Sequence, residues 1–326
     1  VELFSTIHRL AGTGQYDSRD LPEYIQDVEA HFGSYRNHHA VYLVKKLRKT
    51  YGLDGNSPMA LAVYLTDPPE HKGRSPLHLP PADLDRRWTE DVIPLMLEAA
   101  REFAQDTDFL TFFDTQQPLY ERAVQNLKAT LKDTHMLAWF EGFFGDVPDN
   151  YVIILGLQNG SCNYGASVIL SDGVREFNSI LGATRPDSQG APQYPRPGYI
   201  PIIVHEFCHS IVNPLVDRHH DSLPAAGEAI FPSQERALKR WGYNLWDIML
   251  YEYITRACVI LYLLAEEGRS AAQNKIEMDK KAGFPGIQEL VEVLTAYEEQ
   301  RTRYPRLDDF MPRTAAFFEK YAESFL

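Results

Sequence analysis

Residues 205–209 read His205-Glu206-Phe207-Cys208-His209, the pattern His-Glu-x-x-His. On a helix, side chains four residues apart leave one face a turn apart, so His205 and His209 can offer two imidazoles to one metal ion. Glu206 stands about 100° round the helix from His205, too far to join as a ligand but placed to take a proton from water at the metal. It is the candidate general base. With 11 His and 23 Glu in 326 residues, a shuffled chain would hold this pattern only about 0.03 times, so chance explains it poorly. Val204, Phe207, Cys208 and Ile211 give the same stretch an apolar side. Pro201 suits a first helical turn, and Asn213-Pro214 is expected to end the helix.

A catalytic zinc ion takes three protein ligands and a water. The metzincin pattern needs Gly at position 212 and His at position 215, where this chain has Val212 and Leu215. His219 and His220 lie beyond Pro214 in a polar run and read as solvated loop residues. The gluzincin arrangement, a carboxylate from a later segment, leaves two candidates. Glu228 follows His209 after 18 residues, in a weak helix candidate. Glu252 lies in a segment too apolar for a surface helix, where an unpaired carboxylate is costly and coordination would compensate it. Glu252 is therefore preferred, and an ion pair with Arg256 four residues on is compatible with ligation. For oxyanion stabilisation the nearest candidates are Tyr199, Tyr251, Tyr253 and Arg256. Tyr253 and Arg256 are taken as the catalytic candidates. Arg256 is explained more simply as the holder of Glu252, and with 18 tyrosines in the chain each one is more often a packing residue.

The elements that must position these groups follow from periodicity. Residues 1–145 read as a helical lobe, with apolar spacing in Val41, Val44 and Leu47 and again in Ile93, Leu97, Ala100 and Phe103. Prolines at 68, 69, 76, 80 and 81 make 66–81 a loop between helices. Residues 146–326 read as the catalytic lobe. Strands are expected at 151–155 and 166–170, paired as a hairpin around Asn159-Gly160, with Asn163-Tyr164-Gly165 in the connection. Either strand could accept a peptide by strand addition. Residues 184–198 read as an irregular loop, and helices are expected at 233–241, 245–267, 286–299 and 313–324. The adjacent His38-His39 pair points to different sides of a helix and does not chelate.

Composition bounds the rest. A chain that is 44% hydrophobic and 24% charged is a folded protein. Its net charge of −13 disfavours nucleic acid and anionic lipid. The greasiest uninterrupted run, 257–265, is too short to span a bilayer. Three cysteines leave at least one thiol unpaired within the chain and no disulfide framework. A start at Val1 rather than Met fits either an artificially trimmed chain or a mature one that has lost a targeting segment.

The pattern HEFCH, the later Glu252-x-x-x-Arg256-Ala257 segment, Asn163-Tyr164-Gly165 after a strand, and the opening Glu2-Leu3-Phe4 with Arg9-Leu10-Ala11-Gly12 together resemble a family of uncharacterised, zincin-like bacterial proteins regarded as exported. The resemblance covers most of the chain. It implies His205, His209 and Glu252 as metal ligands, Glu206 as base and no known substrate. The 42 residues that separate Glu252 from His209 exceed the spacing of better-known gluzincins. The expectation is a mainly helical α+β protein with a small mixed or antiparallel sheet, acting as a Zn2+-dependent hydrolase on peptides or proteins in the periplasm or outside the cell. The rival reading is a non-enzymatic peptide- or carbohydrate-binding protein on a zincin scaffold. Retention of Glu206 with both histidines favours the enzyme.

Overall fold

A computed structural model describes residues 1–68, 70–75, 77 and 84–325. Among them are fourteen α-helices and one three-stranded sheet, so the protein is α+β and mainly helical, as expected. In chain order the first helices are α1 (Glu2–Leu10), α2 (Pro22–Phe32), α3 (His39–Tyr51), α4 (Ser57–Ala62), α5 (Val92–Asp106), α6 (Phe109–Thr115), α7 (Gln117–Leu131) and α8 (Met136–Phe144). Strands β1 (Asn150–Leu155), β2 (Tyr164–Ile169) and β3 (Arg175–Leu181) follow. Then come α9 (Arg196–Arg218), α10 (Pro224–Leu238), α11 (Trp246–Glu266), α12 (Arg269–Ala282), α13 (Ile287–Glu299) and α14 (Leu307–Ala322). The chain forms two compact units, one of Val1–Lys132 with Pro148–Phe207 and one of Asp133–Val147 with Cys208–Leu326. Of the proline loop expected at 66–81, Pro69, Pro76, Pro80 and Pro81 lie outside the described residues.

In the first unit, α3 and α5 bury the periodic residues Val41, Val44, Leu47, Ile93, Leu97, Ala100 and Phe103, as their spacing requires. Helix α1 buries all nine of its residues, and its polar ones are matched. Glu2 accepts from the backbone N–H of Leu157 at 2.6 Å, from Gln158 Nε2 at 2.9 Å and from the Tyr24 hydroxyl at 2.8 Å. Arg9 donates to Glu29 at 2.9 Å and to the Ser18 carbonyl at 2.8 Å. Each buried charge is thereby compensated.

The sheet has the order β1-β3-β2, with β1 parallel and β2 antiparallel to β3. This corrects the expected hairpin, because β1 and β2 do not pair with each other. The hairpin is β2–β3, turned at Asp172-Gly173, where Gly173 has φ +87° and Leu170 and Val174 close the turn. Asn159-Gly160 serves otherwise. Asn159 is buried and accepts from the Ser5 hydroxyl at 2.9 Å, while Gly160 has φ +57°. The central strand β3 carries Glu176, Asn178 and Ser179 inside the fold. Arg74 makes Glu176 acceptable there, with Nη2 at 2.8 Å from both carboxylate oxygens. These polar residues hide the strand from a hydrophobicity pattern.

The second unit is organised round α11, which buries Met249, Leu250, Tyr253, Ile254 and the run from Ala257 through Leu263 on all sides. It packs against α10, α12 and α13. By length and composition α11 could cross a bilayer, which corrects the sequence estimate: that estimate counted uninterrupted apolar residues, whereas an 18-residue average tolerates Glu252 and Arg256. In the protein, 72% of that window is buried, as in a core helix.

Pro214, expected to end its helix, lies inside it, and Pro232 and Pro312, each just before an expected helix start, lie inside helices too. Helix α9 continues through Pro214 to Arg218, α10 begins at Pro224 and contains Pro232, and α14 begins at Leu307 and contains Pro312. At the last start the Asp309 carboxylate accepts the Arg306 backbone N–H at 2.9 Å, a carboxylate in the first turn. Helix α9 also begins earlier than Pro201 suggests, at Arg196.

Candidate metal centre

His205 and His209 project from α9, whose buried residues Val204, Phe207, Cys208 and Val212 anchor the helix by its apolar side. Glu252 comes from α11. One ligand atom from each of His205, His209 and Glu252 lies within 4.8 Å of the others. Glu252 is 4% exposed, so its carboxylate has given up nearly all its water and needs a cation in return. Of the two carboxylates competing for the third position, Glu228 is exposed on α10 and Glu252 joins the histidines.

Each ligand candidate is held by a second contact. The Nδ1–H of His209 donates to Asn213 Oδ1 at 3.0 Å, one turn further along α9. That bond fixes the ring and leaves Nε2 as the coordinating nitrogen, 3.3 Å from Oε1 of Glu252. Nε2 of His209 and Oε1 of Glu252 face each other at a distance that either a shared proton or a shared cation bridges. The cluster can hold a divalent ion, with His205, His209 and Glu252 each offering one ligand atom. The remaining oxygen of Glu252, Oε2, takes Nε and Nη2 of Arg256, each at 3.0 Å. Tyr243 stands beside both Glu252 and Arg256. Burial, reinforced by the Glu252 charge, pushes the Tyr243 hydroxyl above its ordinary pKa, so it stays protonated. Burial works against the charge of Arg256, but the Glu252 and Asp279 carboxylates hold its pKa above the ordinary value.

Glu206 is buried on α9 beside His205, 8% exposed. The structure does not bring the hydroxyl of Tyr253 to the cluster. It donates to Gln234 Oε1 at 3.1 Å and accepts from the Gly286 N–H at 3.4 Å, with Phe284 and Phe318 against the ring. Tyr251 donates to Asp217, and Tyr199 to the Gly182 carbonyl at 3.3 Å. His219 pairs with Asp308 at 2.8 Å, and His38 caps α3 by accepting from the Ala40 N–H. Asn163 accepts from the Gly182 N–H at 3.0 Å, a backbone role. Asn213 and Tyr243 are the two members of the centre that sequence reasoning missed. The signal for Asn213 was its place one turn beyond His209, obscured by its reading as a helix end.

The sequence model of a family described as Domain of unknown function (DUF4932) matches residues 83–316, more than two thirds of the chain. The chain belongs to this family. The DUF4932 match includes His205, Glu206, His209, Asn213, Tyr243, Glu252 and Arg256, so the whole centre lies within it. No curated protein and no solved structure matches this DUF4932 chain.

Proposed function

We propose that this protein is a zinc-dependent hydrolase of the zincin type, acting on peptide bonds, with His205, His209 and Glu252 as the metal ligands. The observation that carries the reading is the convergence of two imidazoles and one nearly buried carboxylate within 4.8 Å, with Glu206 adjacent to His205 in the chain. A zinc ion in such a site supplies Lewis-acid polarisation and acidifies water toward a pKa of about 7. Glu206, adjacent to His205, accepts the proton of the attacking water and returns it to the leaving amine. Asn213 holds His209 in its coordinating tautomer, and Arg256 turns Glu252 so that one oxygen faces His209. Arg256 acts here through Glu252 rather than on substrate.

Both β1 and β2 are edge strands, since β3 lies between them. Strand β1 is favoured as the peptide-pairing edge because Tyr151 sets its ring against Phe207, 5.1 Å between centroids, two residues beyond His205. An extended backbone paired there would follow the strand next to the residues carrying the chemistry. The resemblance to exported zincin-like proteins supports a site of action outside the cytoplasm.

Glu206→Gln tests the reading directly. The variant should keep its zinc and lose roughly 10²–10⁴-fold of its turnover on a quenched-fluorescence peptide library. Unchanged turnover would remove Glu206 as the base. Full zinc loading with no turnover in the wild-type protein would favour a non-enzymatic binding protein.

A further inference from the structure

The cation that holds Glu252 is itself held from behind. Nη1 of Arg256 donates to Oδ1 of Asp279 at 2.6 Å. Asp279 lies on α12, is 1% exposed, and takes Lys275 Nζ on both oxygens, at 2.6 and 2.7 Å. The Phe284 ring lies 4.5 Å beneath the guanidinium carbon. All three nitrogens of the guanidinium are therefore committed: Nε and Nη2 to one oxygen of Glu252, Nη1 to Asp279. A planar fork fixed at both ends and on one face cannot rotate.

We propose that Asp279 is a positioning residue for the metal centre, acting through Arg256 to keep Glu252 on a single ligating oxygen. The inference rests on the zinc-site reading above. Its physical basis is the fixed orientation of the guanidinium. With Asp279 holding Nη1 and Phe284 against one face, Nε and Nη2 stay together on Oε2, which leaves Oε1 directed at His209. Without Asp279 the guanidinium is free to pivot on its stem, so that Nε and Nη2 can straddle both Glu252 oxygens, the geometry that arginine and carboxylate prefer, and that pair competes with the metal for Oε1. Lys275 neutralises Asp279 so that the carboxylate can be buried without drawing Arg256 off Glu252. The array of Glu252, Arg256, Asp279 and Lys275 is formally neutral, as nearly full burial requires.

The test is the zinc affinity of the purified chain, read by competition with a chromophoric chelator, together with the visible absorption of the cobalt(II)-substituted protein and the melting temperature. Asp279→Asn should lower zinc affinity about 10–100-fold, the range for a residue that supports a ligand, and should weaken the cobalt bands as Glu252 leaves its position. Lys275→Met serves as the comparison: it removes a buried charge but leaves Arg256 on Asp279, and should lower the melting temperature with zinc affinity kept within about threefold. If Asp279→Asn melts lower yet binds zinc and gives cobalt spectra like the wild type, the array serves stability alone and the proposal is overturned. If Asp279→Asn does not fold, Arg256→Lys decides by the same readouts, since one ammonium cannot bridge both carboxylates. Absence of zinc binding by the wild-type chain would instead overturn the site reading and this inference with it.

Discussion

Nε2 of His209 faces Oε1 of Glu252 at 3.3 Å while Nδ1 of the same ring is occupied by Asn213. His205 brings a third ligand atom within 4.8 Å of this pair, so the three can hold one cation. Glu252→Gln keeps the shape and removes the charge, and should cost zinc affinity more than the ~10–100-fold typical of a supporting residue. Glu228→Ala, an exposed substitution on α10, should leave it unchanged. Equal losses in both would place the third ligand elsewhere.

Asn213 orients His209 without touching the metal position. Asn213→Ala removes the acceptor for Nδ1–H and should weaken zinc binding by about 10–100-fold. Asn213→Asp, which keeps an acceptor there, should restore most of the affinity in a chelator competition.

Tyr253 belongs to the aromatic core of the second unit. Tyr253→Phe leaves Gln234 Oε1 and the Gly286 N–H without this partner and should lower stability by about 1–2 kcal/mol in urea unfolding. Zinc affinity and turnover should be unaffected. A large loss of turnover with unchanged stability would return Tyr253 to the chemistry.

Acid should destabilise the first unit through His8. Burial, aided by the Arg48 charge, lowers the His8 pKa from 6.5 to about 3. The unfolded chain therefore binds a proton that the folded chain refuses, so this contribution is fully present above pH 6.5 and is lost as pH falls toward 3. The slope is at most about 1.4 kcal/mol per pH unit. His8→Gln should flatten the fall in the urea midpoint between pH 6.5 and 5, and an unchanged slope would contradict the assignment.

The centre was more legible in the sequence than the frame around it. His205, His209 and Glu252 were readable because helical spacing fixes the first two and the cost of a buried carboxylate singles out the third. Helix boundaries were misread next to prolines. Pro214, Pro232 and Pro312 each forgo one backbone bond, and the packed helices α9, α10 and α14 tolerate that loss. The strand pairing failed because two turn signals, Asn159-Gly160 and Asp172-Gly173, look alike until tertiary contacts choose between them. Helix α12 was overlooked since its sequence is mostly charged and polar, with only Ala272, Ile276 and Asp279 buried. Tyr243 carried no local signal, as only folding brings it to Glu252.

The central claim is that one ion is held by His205, His209 and Glu252. Equilibrium titration of chelator-stripped protein with zinc, run beside His205→Ala and His209→Ala, tests it most directly. The account predicts saturation at one zinc per wild-type chain and loss of that tight site in both variants. Wild-type protein that shows no saturable site, or variants that titrate like it, would contradict the account.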